Sequence, residues 1–168
     1  MSVTYPYLPE MHRPQSFSAG WSFAEKHMPE IRNILGNLPC KIFFAIETAP
    51  AKKDMEQATD LILSVSSGDI AVRVRSHKQY QAAVAKFGFD WSVRAVSRGY
   101  KTEIHKLREG FGRWYFYAYS ADDNGKIAAW WVIDLDKVRA ENILMCEWPT
   151  YPNGDGTYGT YIPIHSLD

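Results

Sequence analysis

The sequence predicts an α+β domain, a central mixed sheet flanked by helices with a C-terminal aromatic hairpin, on three observations. Residues 70–75 alternate Ile70, Val72 and Val74 with Ala71, Arg73 and Arg75, the period of two that marks a half-buried strand. Two apolar, aromatic runs, 114–120 and 127–135, flank a polar link containing Asn124-Gly125, a dipeptide favoured in tight hairpins. Phe23, His27, Ile31, Ile34 and Leu35 recur at the spacing of one helix face.

The remaining elements follow in order. Pro6, Pro9, Pro14 and Gly20 make residues 1–21 an irregular arm, packed through Tyr5, Tyr7 and Phe17, and leave 22–168 as a single domain. Pro29 is expected to divide the first helix, which Gly36 and Pro39 close. Strand-like runs at 41–48 and 59–65 precede a Ser66-Ser67-Gly68-Asp69 turn and the alternating strand. A short helix is expected over 77–87 and a strand over 91–96, with Ser92 and Arg94 on its off-core face. Residues 101–110 read two ways: a helix capped by Thr102 that buries Ile104 and Leu107, or a strand that projects Glu103 and His105 together. The aromatic residues of the hairpin are expected to pack a core rather than stack bases. Asp136 can cap a helix over 137–143. Beyond Trp148 the chain is rich in turn residues and ends in a strand at 157–164.

With 168 residues, 46% of them hydrophobic, the chain suffices for one core, and its longest apolar runs are too short to cross a bilayer. No basic start with an apolar stretch and small-residue cleavage site is present, which points to the cytoplasm. Cys40 and Cys146, far apart in sequence, suggest buried free thiols rather than a disulfide or zinc site. His27, His77, His105 and His165 show no metal-ligand spacing, and neither a phosphate loop nor a GxSxG elbow occurs, so nucleotide hydrolysis and serine esterase chemistry rank low.

Formal net charge is zero, but it is unevenly distributed. Residues 73–113 hold ten Lys or Arg against the three acids Asp90, Glu103 and Glu109, while both flanks are acidic. Such a block either pairs with the acidic flanks or forms a phosphate-facing surface. Arg73 and Arg75, two apart on one strand, with Arg94 on a neighbouring strand and Arg98 beyond it, form a set of planar donors suited to a phosphate backbone.

The order of elements, with Asp54-Met55-Glu56-Gln57-Ala58-Thr59-Asp60-Leu61-Ile62-Leu63, Asp69-Ile70-Ala71-Val72-Arg73-Val74-Arg75 and Thr102-Glu103-Ile104-His105-Lys106, resembles the PD-(D/E)XK, restriction-endonuclease-like superfamily, small phage-type members in particular. Trp114-Tyr115-Phe116-Tyr117, Val132-Ile133-Asp134-Leu135 and Asn153-Gly154-Asp155-Gly156-Thr157 extend the pattern across roughly residues 22–164. The resemblance implies a Mg²⁺-dependent nuclease acting on nucleic acid, DNA before RNA, with Asp60 at the first metal position. It departs from the family where a carboxylate and a lysine are required, since Arg73 and Arg75 stand there and an arginine cannot ligate metal. A carboxylate supplied from elsewhere would be Glu103 or Glu47, with Asp54 and Glu56 also available. Lys106 or Arg75 would then take the lysine's role, although Glu103 and Lys106 are also spaced as an ordinary surface pair. The alternative is a nuclease-like module without catalysis, which grips nucleic acid or blocks a nucleoprotein partner in a phage or host defence setting.

Overall fold

Helix α1 shows how burial overrides local propensity. In the computed structural model, which describes residues 13–38, 46–48, 61–63, 69–96, 101–153 and 156–167, it runs from Arg13 to Gly36 with Pro29 inside it. The helix thus starts within the stretch expected to be an irregular arm, and Pro29 does not divide it. A proline in a helix interior costs about 3 kcal/mol. Complete burial of Ile31, with Leu35 all but inaccessible, offsets that cost at about 1.5–3 kcal/mol each.

The strands are β1 (Ile46–Thr48), β2 (Leu61–Leu63), β3 (Ile70–Arg75), β4 (Asp90–Val96), β5 (Trp114–Ser120), β6 (Ile127–Asp134), β7 (Thr150–Pro152) and β8 (Tyr158–Pro163). The shorter helices are α2 (His77–Ala82), extended by a wide π-type turn at Ala83–Phe87, α3 (Glu103–Arg108) and α4 (Leu135–Ala140). Five strands form a mixed sheet in the order β1-β2-β3-β5-β6, in which β3 and β5 are parallel and the other neighbours antiparallel. The second sheet, β4-β8-β7, is antiparallel. The fold is therefore α+β with helices on the sheets, as expected, but the strands divide between two sheets rather than sharing one.

Strand alternation sorts the core into two clusters. Ile70, Val72 and Val74 of β3 and Phe116 and Ala118 of β5 pack on Ile31 and Leu35 of α1. The opposite face places Ala71, Tyr115, Tyr117 and Tyr119 against Trp91 and Val93 of β4, Ile162 of β8 and Ile104 and Leu107 of α3. β5 of the aromatic hairpin is thus core on both faces, as its composition predicts, whereas on β6 Ile133 is buried and Trp130 is exposed. The hairpin tip is keyed to α1: a Cβ on Gly125, whose φ is 99°, would lie 2.4 Å from the Lys26 carbonyl oxygen. Next to it His27, fully buried, sits 2.9 Å from Ser120 Oγ through Nε2 and donates from Nδ1 to the Phe23 carbonyl at 2.8 Å.

Residues 103–108 choose the helix over the strand, burying Ile104 and Leu107. Thr102 stands at the N-cap as expected, but its hydroxyl donates to the Ala95 carbonyl and so ties the start of α3 to β4 rather than bonding an amide of the first turn. The cap of α4 is Asp134, not Asp136: its Oδ1 accepts from the Asp136 and Lys137 amides at 2.9 and 3.3 Å. Asp136 is released to pair with Arg113 and Arg139. Cys146 is exposed, contrary to the expected buried thiol, and Cys40 lies outside the described residues. The turn-rich tail contains a strand that composition did not signal, β7, because pairing with β8 supplies the hydrogen bonds its short length lacks.

Candidate functional site

The parallel register sets Arg73 beside Tyr117 and Arg75 beside Tyr119, on the face of β3 that looks away from α1. Three buried tyrosines on every second position of β5 hold the neighbouring elements through their hydroxyls. Tyr119 donates to the Asp90 carbonyl at 3.1 Å, and Tyr117 shares a 3.1 Å hydrogen bond with Ser92 Oγ. Tyr115 donates to the Glu103 carboxylate. Burial, reinforced by Tyr117, pushes the Tyr119 hydroxyl far above its ordinary value of 10.0, so it remains a donor. Burial likewise raises the Asp90 carboxyl, an effect that His165 opposes. Ser92, expected on an off-core face, is buried because β4 crosses this row of tyrosines.

Glu103 is the junction of the site. One oxygen accepts from Tyr115; the other accepts from the Arg94 amide at 2.9 Å and pairs with Arg73 Nη2 at 2.8 Å. Arg73 also donates through Nη1 to the Ser92 carbonyl at 3.1 Å. The Arg73 and Glu103 side chains are 27% and 14% exposed, so solvent screens this pair less than a surface one.

Above this junction opens a cleft of about 430 Å³ between β3, α2 and the second sheet. Arg73, Arg75 and Arg94 line it together with Gln79, Asn153 and Tyr161. Arg75, half-buried, makes no hydrogen bond or ion pair among the described residues. Its neighbours hold the walls in place: Gln79 Oε1 accepts from the Ser76 amide at 2.9 Å, and Asn153 Nδ2 donates to Thr157 Oγ1 at 2.9 Å. The cleft is thus a fixed concavity with guanidinium groups from two sheets around it, suited to a planar or tetrahedral oxyanion.

The structure places Arg73, Arg75 and Arg94, three of the arginines read as a phosphate-facing set, around one cleft, and sets Glu103, read as a metal ligand, against Arg73. Asp60, Asp54, Glu56 and Arg98 lie outside the described residues. Glu47 is on β1, opposite Ile62 and separated from β3 by β2. Lys106 is half-buried on α3 and is not among the residues that line the cleft. Glu103 does not fit the role of a metal ligand as it is arranged, because both oxygens accept hydrogen bonds and a guanidinium lies against one of them. Among the described residues no three His, Cys, Asp or Glu side chains gather as a metal cage would require. No helix among them is long and apolar enough to cross a membrane.

Sequence reasoning missed Gln79, Asn153 and Tyr161. Gln79 stands on α2 directly after β3, whereas the place of Tyr161 depends on β8 pairing with β4 across a long stretch of chain, which no local period encodes. No family model, curated protein or solved structure matches the chain. Function is therefore read from the site itself.

Proposed function

We propose that the protein is a nucleic-acid-binding module that grips the phosphodiester backbone in the cleft between β3 and the β4-β8-β7 sheet. The observation that carries this reading is the convergence of Arg73, Arg75 and Arg94 on one open concavity, with Glu103 against Arg73. Three guanidinium groups line this one concavity, and Arg75 makes no hydrogen bond or ion pair among the described residues. Phosphate oxygens can meet the Arg75 guanidinium with bidentate geometry. The mixed five-stranded sheet with its parallel β3–β5 pair is compatible with a restriction-endonuclease-like scaffold, and the arginines on β3 occupy the strand where that resemblance would put catalytic groups. The engagement of Glu103 favours binding over hydrolysis.

The test is a titration of DNA and RNA oligonucleotides at several salt concentrations, with wild type beside Arg73→Ala/Arg75→Ala. Each lost phosphate contact should lower the slope of log affinity against log salt by about 1. Equal slopes for the two proteins overturn the assignment of the cleft. The same mixtures with Mg²⁺ examine the nuclease alternative: cleavage that disappears in Asp60→Ala would replace the binding module by an enzyme.

A further inference from the structure

We infer that the strand held in the cleft is unpaired, and that Tyr151 and Tyr161 form a stacking platform for its bases. This rests on the proposed nucleic-acid reading and adds the strandedness of the ligand. Strand alternation in the second sheet puts Ser92, Arg94, Gly159, Tyr161 and Tyr151 on one face, since Arg94 and Tyr151 both pair with Gly159, and Ser92 with Tyr161. That face forms one wall of the cleft. The Tyr161 ring lies across Gly159: a Cβ there would be 3.3 Å from its Cε2 and 3.5 Å from its hydroxyl. Glycine at 159 thus admits the ring, which meets Tyr151 edge-on at 5.6 Å between centroids. Tyr151 is 57% exposed, an unusual position for a large ring that continues an aromatic pair out of a cationic cleft.

Guanidinium groups on a backbone track with exposed rings beside it make the combination by which single strands are held, because every unpaired base offers a π-face. In a duplex those faces are already stacked on one another and unavailable to Tyr151. Backbone binding alone would need the arginines and leave the exposed tyrosine without a role. Tyr158 supplies an internal control. It is 43% exposed on the same short sheet, but alternation puts it with Thr160 and Ile162 on the other face.

The experiment measures fluorescence anisotropy with labelled single-stranded, duplex and abasic single-stranded oligonucleotides of equal length, for wild type, Tyr151→Ala, Tyr151→Phe, Tyr158→Ala and Arg75→Ala. Wild type should prefer the base-bearing single strand to the abasic one. Tyr151→Ala should lose about tenfold in affinity for the base-bearing strand and nothing for the abasic strand, with Tyr151→Phe and Tyr158→Ala near wild type. Equal losses on both strands, or no loss on either, overturn the stacking platform, and if Arg75→Ala still weakens binding the backbone reading stands. If no oligonucleotide binds, or Arg75→Ala changes nothing, both fall together.

Discussion

Around the base of α4, Arg139 donates to the carbonyls of Leu107, Phe111 and Gly112 and pairs with Asp136, while Arg113 bridges Asp134 and Asp136 with its guanidinium carbon 5.0 Å from the centre of the Trp114 ring. Around the cleft, by contrast, Arg73 shares Glu103 with the Arg94 amide, and Arg75 has no such partner among the described residues. Both sets are built on the same guanidinium group. What separates them is where the donors point. Arginines aimed at the open carbonyls of a turn hold the fold, because those carbonyls would otherwise be desolvated without a partner. Arg75, which lines a concavity and makes no hydrogen bond or ion pair among the described residues, keeps donors for a ligand. Burial, with Arg113 nearby, lowers the proton affinity of Arg139, a strain that structural carbonyls tolerate because arginine stays charged.

The difference can be broken most severely at Arg139. Arg139→Ala leaves the carbonyls of Leu107, Phe111 and Gly112 without this donor and should cost about 3 kcal/mol, read as a fall in Tm of ~10 °C by calorimetry. Affinity for oligonucleotides at a temperature where the variant is folded should be unchanged. If binding falls with it, the two sets are not separable.

Next in size is Arg75→Ala. It should weaken oligonucleotide binding about tenfold, roughly 1.4 kcal/mol, and move thermal stability by less than ~0.5 kcal/mol. A Tm drop comparable to that of Arg139→Ala would show that Arg75 belongs with the structural set.

Glu103→Gln sharpens the comparison from the acidic side. It removes the charge opposite Arg73 while keeping an acceptor for Tyr115, so stability should fall by about 1 kcal/mol and affinity rise about threefold with a steeper salt dependence. Weaker binding would mean that Glu103 positions Arg73 for the ligand rather than competing with it. The smallest effect is expected at Asp136→Asn, whose side chain is 54% exposed and whose loss leaves Arg113 with Asp134. Urea denaturation should register a change of no more than ~1 kcal/mol.

Much of the fold was legible in the sequence. The stripe on α1, the alternation of β3 and the aromatic hairpin at 114–134 all stand where the periodicity put them, because each pattern is written within one element. The arginines of the site were legible for the same reason: Arg73 and Arg75 sit on the polar parity of a strand. The carbonyl-bound role of Arg139 left no such trace, since its partners lie on a loop and a helix end distant in sequence. Nor could composition tell that Asp134 rather than Asp136 would cap α4, as either aspartate stands at a plausible helix start.

By itself, then, the sequence determined the apolar stripe of α1, the aromatic hairpin, which face of β3 is apolar and where positive charge concentrates. Only the tertiary structure decided that β4 leaves the main sheet to pair with β8, that Glu103 turns back to Arg73, Arg94 and Tyr115, and that Tyr161 borders the same cleft as the arginines with Tyr151 packed beside it. The reason is range. Side-chain period follows from backbone geometry over a few residues, whereas the partners of a buried carboxylate or a sheet edge are selected by packing between segments far apart in the chain.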